Sequence, residues 1–285
     1  MSLVTLCDIL PDAQEKRYAV GAFNVTNFEM AISIVQAAEE KRSPVIIQYT
    51  EADGARISFE EIGCYVRHLA ERSCAPVCVH FDHGTTFDGC IRAIHSGFSS
   101  VMFDGSELPF EENVAMTQEI VRIAHAVGVS VEAEIGRMIR SGGEPLKNPD
   151  LSELMTDPAV AKEFAERTGA DAIAVSFGTV HGVYKTEPHL DFDLLGTLAA
   201  NIVQPLVVHG GSGLKPSDYR EMAARGICKI NYYSDMANRI AKNIVSDLHD
   251  MGENIYIHDW TDRQLSMVKQ EIEERMDVFG SVARA

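Results

Sequence analysis

Eight times along this chain, a short run rich in apolar and β-branched residues gives way to a longer stretch with helical spacing. The runs are Ala19–Asn24, Pro44–Tyr49, Pro76–Asp82, Ser99–Asp104, Val129–Ile135, Ala170–Ser176, Pro205–His209 and Ile227–Asn231. Between them, Asn27–Arg42 sets Phe28, Ile32, Val35 and Ala38 on one face, and Phe110–Val127 has the same character. Proline opens three of the runs, at Pro44, Pro76 and Pro205, which ends the preceding helix and starts an extended segment. Apolar triplets such as Val45-Ile46-Ile47 and Leu206-Val207-Val208 suit strands covered on both faces, as in parallel sheets. Eight such units in about 230 residues predict an α/β fold, a closed (β/α)8 TIM barrel rather than an open doubly wound sheet. No Gly-x-Gly-x-x-Gly follows the first run, which weakens a dinucleotide-binding reading. No linker or repeat divides the chain, so residues 1–285 read as one domain. A charged closing helix is expected over Gln264–Phe279, with Leu265, Val268, Ile272 and Met276 inward.

Charge limits the partners. The 25 basic and 42 acidic side chains give a net charge of −17, and no Lys/Arg run exceeds two, so nucleic acid is not an expected partner. At 46% hydrophobic residues, the chain can fill a large core without any apolar stretch long enough to span a bilayer. Residues 1–17 lack the basic start and apolar centre of a secretory signal, and Cys7, Cys64, Cys74, Cys78, Cys90 and Cys228 read as reduced thiols. A cytoplasmic location is expected.

The informative pattern is where polar residues fall. The predicted strands end, in order, at Asn24, Thr50, Asp82-His83, Asp104, Glu134, His181 (just past its strand), His209 and Asn231. A barrel gathers all eight ends around one mouth, where active sites of this fold sit. Any one of these histidines alone reads as an ordinary loop residue. Together, His83, His181 and His209, each followed by glycine, match three imidazole ligands of a catalytic zinc with one position left open. Asp82 puts a carboxylate beside that metal, able to act as general acid/base or to orient a ligand. Asp104 and Glu134 are candidates for outer carboxylates or a second metal position.

Two further segments follow from the same layout. His209-Gly210-Gly211-Ser212-Gly213 and Asn231-Tyr232-Tyr233-Ser234-Asp235 follow the last two strands, where backbone amides and a helix N-terminus cradle phosphate in many barrels. Arg137–Asp157 contains Ser141-Gly142-Gly143-Glu144-Pro145 and Asn148-Pro149, and reads as a long loop able to cover the mouth.

These residues resemble the class II, zinc-dependent ketose-bisphosphate aldolases, of fructose- and tagatose-bisphosphate type. The likeness runs through Ala22-Phe23-Asn24, His80-Phe81-Asp82-His83-Gly84, Phe103-Asp104-Gly105-Ser106, Val131-Glu132-Ala133-Glu134, Gly178-Thr179-Val180-His181-Gly182, Val208-His209-Gly210-Gly211-Ser212-Gly213 and Lys229-Ile230-Asn231. It implies zinc on His83, His181 and His209, with Glu134 and Asp104 lining the metal site. It implies Asp82 as acid/base at the hydroxyl of the aldehyde-derived half and Asn231 against the ketone half. Gly182, Gly210, Gly211, Ser212 and Ser234 match phosphate loops, where a monovalent cation (Na+ or K+) is common. The implied reaction is reversible cleavage of a phosphorylated ketose, by default fructose or tagatose 1,6-bisphosphate, to dihydroxyacetone phosphate and an aldehyde, in a homodimer or homotetramer.

Three departures bear on specificity. The lid pattern Gly-Gly-x-Glu-Asp is here Gly142-Gly143-Glu144-Pro145, with Glu144 the candidate lid acid/base. Tyr232-Tyr233 stand where small or aliphatic residues are usual. The distal-phosphate arginine of the family falls at His258, with Arg263 close by. An alternative substrate is therefore a ketose 1-phosphate with a non-phosphate distal group, such as a sulfofructose phosphate or a deoxy-keto-gluconate phosphate. Readings of another class are a zinc hydrolase and a non-catalytic assembly subunit.

Overall fold

The computed structural model describes residues 2–51, 54, 56–136, 155–180, 182 and 188–285. Among them the strands are β1 (Leu3–Val4), β2 (Val20–Asn24), β3 (Val45–Thr50), β4 (Val77–Gly84), β5 (Ser100–Phe103), β6 (Ser130–Glu134), β7 (Ala172–Ala174), β8 (Leu206–Val208) and β9 (Ile227–Tyr232). The helices are α1 (Leu6–Lys16), α2 (Phe28–Lys41), α3 (Phe59–Arg72), α4 (Phe87–His95), α5 (Phe110–Ala126), α6 (Pro158–Thr168), α7 (Phe192–Asn201), α8 (Pro216–Arg225), α9 (Ser234–Asp250) and α10 (Ile257–Phe279). Strands β2 to β9 pair in chain order, all parallel, and the ring closes where Val20 meets Lys229. This is the expected TIM barrel. The short β1 lies outside the ring of eight and pairs Leu3 with Val77, below the point where β5 joins β4.

Alternation within the strands separates two apolar regions. Phe23, Ile47, Val79, Phe81, Val101, Val131, Ile173, Val208 and Ile230 pack outward against the surrounding helices. Val20, Ala22, Ile46, Cys78, Ala172, Ala174, Val207 and Cys228 fill the inner base, and Leu6, Ile9, Leu10 and Ala13 of α1 close it from below. That stripe has the i, i+3, i+4, i+7 spacing of a helix. Pro11 and the interspersed acids hide it in the sequence. The helix starts firmly, because the Asp8 carboxylate accepts from both Thr5 N (2.7 Å) and Thr5 Oγ1 (2.8 Å).

The closing helix begins earlier than its periodicity predicts, at Ile257 instead of Gln264. Its first two turns have little apolar face to read, since Ile257 is 86% exposed. The start is fixed locally by Asp259, whose carboxylate accepts from Tyr256 N at 2.8 Å. Further along, buried Glu271 joins α10 to the barrel. It accepts from the Tyr232 hydroxyl at 2.8 Å and pairs with Arg239 at 2.6 Å and Arg275 at 3.3 Å. Burial opposes its charge, yet the hydrogen bonds from Arg239 and Tyr232 hold the carboxyl below the ordinary glutamate value.

All six cysteines are free thiols. Among the described residues, no helix is long and apolar enough to cross a membrane. Leu10 is fully buried at the centre of the α1 contact. Leu10→Ala should cost about 3 kcal/mol, as for other buried leucines, read as a lower urea midpoint with unchanged far-UV circular dichroism. An unmoved midpoint would show that the α1 contact contributes nothing.

Candidate active site

The upper interior of the barrel is polar. Asn24, Thr50, Asp82, His83, Gly182, Gly210, Ser212, Asn231, Tyr232, Tyr233 and Ser234 line a cavity of roughly 190 Å3 at the C-terminal ends of the strands. Asn24, Asp82, Glu134, His209 and Asn231 are all buried there.

Plain alternation would turn His83 away from Asp82. Instead, β4 carries an extra residue: Phe81 pairs with Val101, but Gly84 pairs with Phe103. His83 sits in this bulge at φ +53°, a left-handed conformation rare for a residue with a side chain. The bulge brings both side chains to one cluster. Ligand atoms of Asp82, His83 and His209 lie within 4.8 Å of one another, and so do those of His83, Asp104 and Glu134. The His83 and His209 rings meet edge to face, 4.7 Å apart.

Each imidazole is anchored through one ring nitrogen on a carboxylate. His83 Nδ1 lies 2.9 Å from Asp104 Oδ2, and His209 Nε2 lies 2.9 Å from Glu132 Oε1. Asp104 is itself held by the Ser106 hydroxyl, which donates to Oδ1 at 2.6 Å. Such carboxylate–histidine pairs fix the ring orientation and tautomer of metal ligands. The buried Oε2 of Glu134 faces His209 Nδ1 at 3.1 Å without the geometry of a hydrogen bond. Imidazole nitrogens with carboxylate oxygens form a donor set suited to zinc. These residues fit a metal ion.

The Asp82 carboxylate is held from both sides. Asn24 Nδ2 donates to Oδ2 at 3.1 Å, and Asn231 Nδ2 to Oδ1 at 3.3 Å. Burial opposes its ionised form, but the positive surroundings, led by His83 and Lys229, hold its pKa far below the ordinary aspartate value. For His209, burial disfavours the cation, yet the hydrogen bond to Glu132 and the negative charges of Glu134 and Glu132 beside the ring outweigh it and push the imidazole up to about 10.

Beneath this layer lies a second one that the strand-end reading missed. Gln48, His80, Glu132 and Lys229 are each 0% exposed. A signal for them exists, since each stands two residues before a strand-end residue: Thr50, Asp82, Glu134 and Asn231 respectively. In a strand, that spacing means a shared face. Burial and the nearby Lys229 charge push His80 down to about 3, so this histidine is neutral. Burial works against the Glu132 charge, but Lys229 and His209 hold the carboxyl down at about 2.

At the rim, Gly210 has φ +70°, and a Cβ there would lie 2.3 Å from the Val180 carbonyl oxygen, so glycine is required. The Tyr219 hydroxyl donates to the Gly211 carbonyl at 2.6 Å and steadies this loop. Helix α9 starts at the mouth with no side-chain cap on its first amides. The Ser212 hydroxyl accepts from Tyr233 N at 2.8 Å, which leaves its own proton to donate.

Not all expected residues meet here. His181 and Glu144, with most of the expected lid, lie outside the described residues. His258 is on the first turn of α10, exposed and stacked on Tyr256, and Arg263 donates to the Asp259 carbonyl at 3.2 Å. Neither is among the residues lining the cavity. Tyr232 directs its hydroxyl to Glu271 rather than to the mouth.

The profile of the family described as fructose-bisphosphate aldolase class-II matches residues 4–284. The chain belongs to the class II aldolases. It is 38% identical to a probable fructose-bisphosphate aldolase of Bacillus subtilis, over the full length of both chains. It is 36% identical to the fructose-bisphosphate aldolase of Thermus caldophilus, covering 99% of this chain and all of the relative. The crystal structure of the YdjI aldolase from Escherichia coli superposes with a TM-score of 0.88 at 34% identity, over 99% of both chains. As a class II aldolase, the protein is a carbon–carbon lyase, and its family acts on small phosphorylated sugars.

A proton on His209 would compete with a metal ion held by the same imidazole. Zinc uptake by the metal-free aldolase should therefore release a proton at neutral pH, and apparent affinity should rise with pH until the imidazole is neutral near 10. Calorimetry in buffers of different ionisation enthalpy measures this release. Zero protons taken up by the buffer at pH 7 would contradict a protonated His209.

Proposed function

We propose that this class II aldolase holds zinc on His83, His181 and His209 and reversibly cleaves a phosphorylated ketose to dihydroxyacetone phosphate and an aldehyde. The observation that carries the reading is Asp82, His83 and His209 converging within 4.8 Å beside the glycine-rich rim and the uncapped start of α9. Zinc bound there supplies Lewis-acid polarisation of the substrate ketone.

The residues of the chain divide the remaining work. Asp82, ionised and aimed by two amide donors, accepts the proton of the hydroxyl next to the scissile bond. As that oxygen forms its carbonyl, the carbon–carbon electron pair passes to the ketone half. Asn231 presents amide hydrogens to the charge that develops there. Glu144 returns a proton to the same half. Amides of the Gly210–Ser212 rim and of the first turn of α9, with the Ser212 and Ser234 hydroxyls, bind the phosphate. A monovalent cation beside this loop fits the same reading.

A second reading concerns the distal end. No Arg or Lys is among the described residues lining the cavity, and Asn24 and Thr50 offer only neutral groups. This favours a ketose 1-phosphate with a distal group other than phosphate. A panel varying only that group should give a kcat/KM about tenfold higher for the 1-phosphate than for the 1,6-bisphosphate. Preference for the bisphosphate would restore fructose or tagatose 1,6-bisphosphate as substrate.

Variants separate the roles. Asp82→Ala should retain zinc and lose about a thousandfold in kcat, whereas His209→Ala should lose zinc and activity together. Equal metal loss in both, measured by elemental analysis, would remove Asp82 from its acid/base role.

A further inference from the structure

The layer directly under the site contains an ion pair that does not line the cavity. Lys229 Nζ lies 2.9 Å from Glu132 Oε2, and both side chains are 0% exposed. The ammonium also donates to Asn231 Oδ1 at 2.7 Å, and the carboxylate also holds His209 Nε2 at 2.9 Å. One buried pair thus touches, from below, a residue of the metal cluster and a residue that holds Asp82.

The contact to Asn231 decides its orientation. An asparagine amide is nearly symmetric in shape, and a half-turn about its last bond exchanges oxygen and nitrogen. One orientation gives Asp82 an N–H donor, while the other sets a carbonyl against the carboxylate. An ammonium has three donors and no acceptor, so only the oxygen is tolerated on its side. The Nδ2 group is thereby turned toward Asp82 Oδ1, at 3.3 Å. Asn24 has a weaker version of this arrangement. Its oxygen accepts from Gln48 Nε2 at 2.8 Å, but Gln48 is itself an amide and can turn with its partner.

The backbone is adapted to deliver the lysine. Leu206 pairs with Ile227, but Val207 pairs with Lys229, so Cys228 is an extra residue in β9. This bulge shifts the alternation and turns both Lys229 and Asn231 inward. A buried ion pair is rarely more stable than an apolar pair of similar volume, so stability does not account for it.

We infer that Lys229 is a positioning residue, locking the Asn231 amide with its donor face toward Asp82 and the ketone half, and that Glu132 is its counter-ion. The kinetic consequence rests on the proposed cleavage reaction. The orientation itself does not.

A double-mutant cycle on zinc-loaded enzyme tests the inference. Lys229→Met should lower kcat about tenfold with zinc content and KM nearly unchanged, yet by less than about twofold in an Asn231→Ala background. Equal losses in both backgrounds, or zinc lost in step with activity, would overturn it. Should Lys229→Met fail to fold, the same cycle is run on Glu132→Gln with Lys229→Met. That pair leaves no unpaired charge and keeps an acceptor for His209. The second readout needs no catalysis: the side-chain NH2 resonance of Asn231 in protein labelled with 15N-asparagine, assigned by its disappearance in Asn231→Ala. It should exchange slowly in the parent and shift and exchange faster in Lys229→Met. An unchanged resonance refutes the lock. A parent enzyme that cleaves no ketose phosphate but shows the protected resonance refutes the proposed function alone.

Discussion

Closing eight parallel strands into a ring forces every second residue of every strand into one narrow interior. That interior has no solvent to absorb misplaced side chains, so its contents must be sorted by height. At the base are small apolar residues such as Ala22, Ala172 and Ala174, closed off by α1. Midway stand Gln48, His80, Glu132 and Lys229, and above them the ligating and substrate-facing groups. Asn24, Asn231 and His209 are each held by a hydrogen bond with the layer below, at Gln48, Lys229 and Glu132 respectively. The geometry of the mouth is inherited from the floor.

This sorting also resolves an apparent conflict in charge. A chain of net charge −17 is a poor general surface for an anionic sugar phosphate. The fold answers locally, with backbone amides at the rim, imidazoles in the cavity and one lysine placed where water cannot screen it. Long-range repulsion from surface carboxylates falls off within about 8 Å at physiological salt, whereas contacts inside the barrel are screened far less. Local dipoles therefore outweigh the global balance.

Much of this was legible in the sequence. The eightfold alternation of short apolar runs with helical stretches and the proline-led starts gave the barrel, and the polar strand ends gave Asn24, Thr50, Asp82, His83 and Asn231 at one cavity with His209 beside them. The hidden parts share a cause: a bulge or a short-range cap overrides the pattern being read. Regular alternation sends His83 outward and loses the phase of Lys229, because nothing in the sequence announces one extra residue in β4 or β9. The start of α10 was hidden because capping by Asp259, not an apolar stripe, begins it. Glu132 and His80 were readable by counting two residues back from each strand end. Their chemistry was not, since it comes from neighbours on other strands.

The base of the barrel has a consequence for the order in which the protein assembles. Helix α1 is translated before every strand of the ring, yet its docking face includes Val207 and Cys228 of the last two strands. Its partner surface does not exist until β8 and β9 have closed the ring. The helix must wait, with Leu6, Ile9 and Leu10 incompletely covered, until those two strands have been made. Contacts spanning this much chain are slow to form, because the loop entropy is lost before any packing is gained. The amino-terminal helix is thus an early product and a late arrival, and the nascent chain is most exposed to misassociation until it seats.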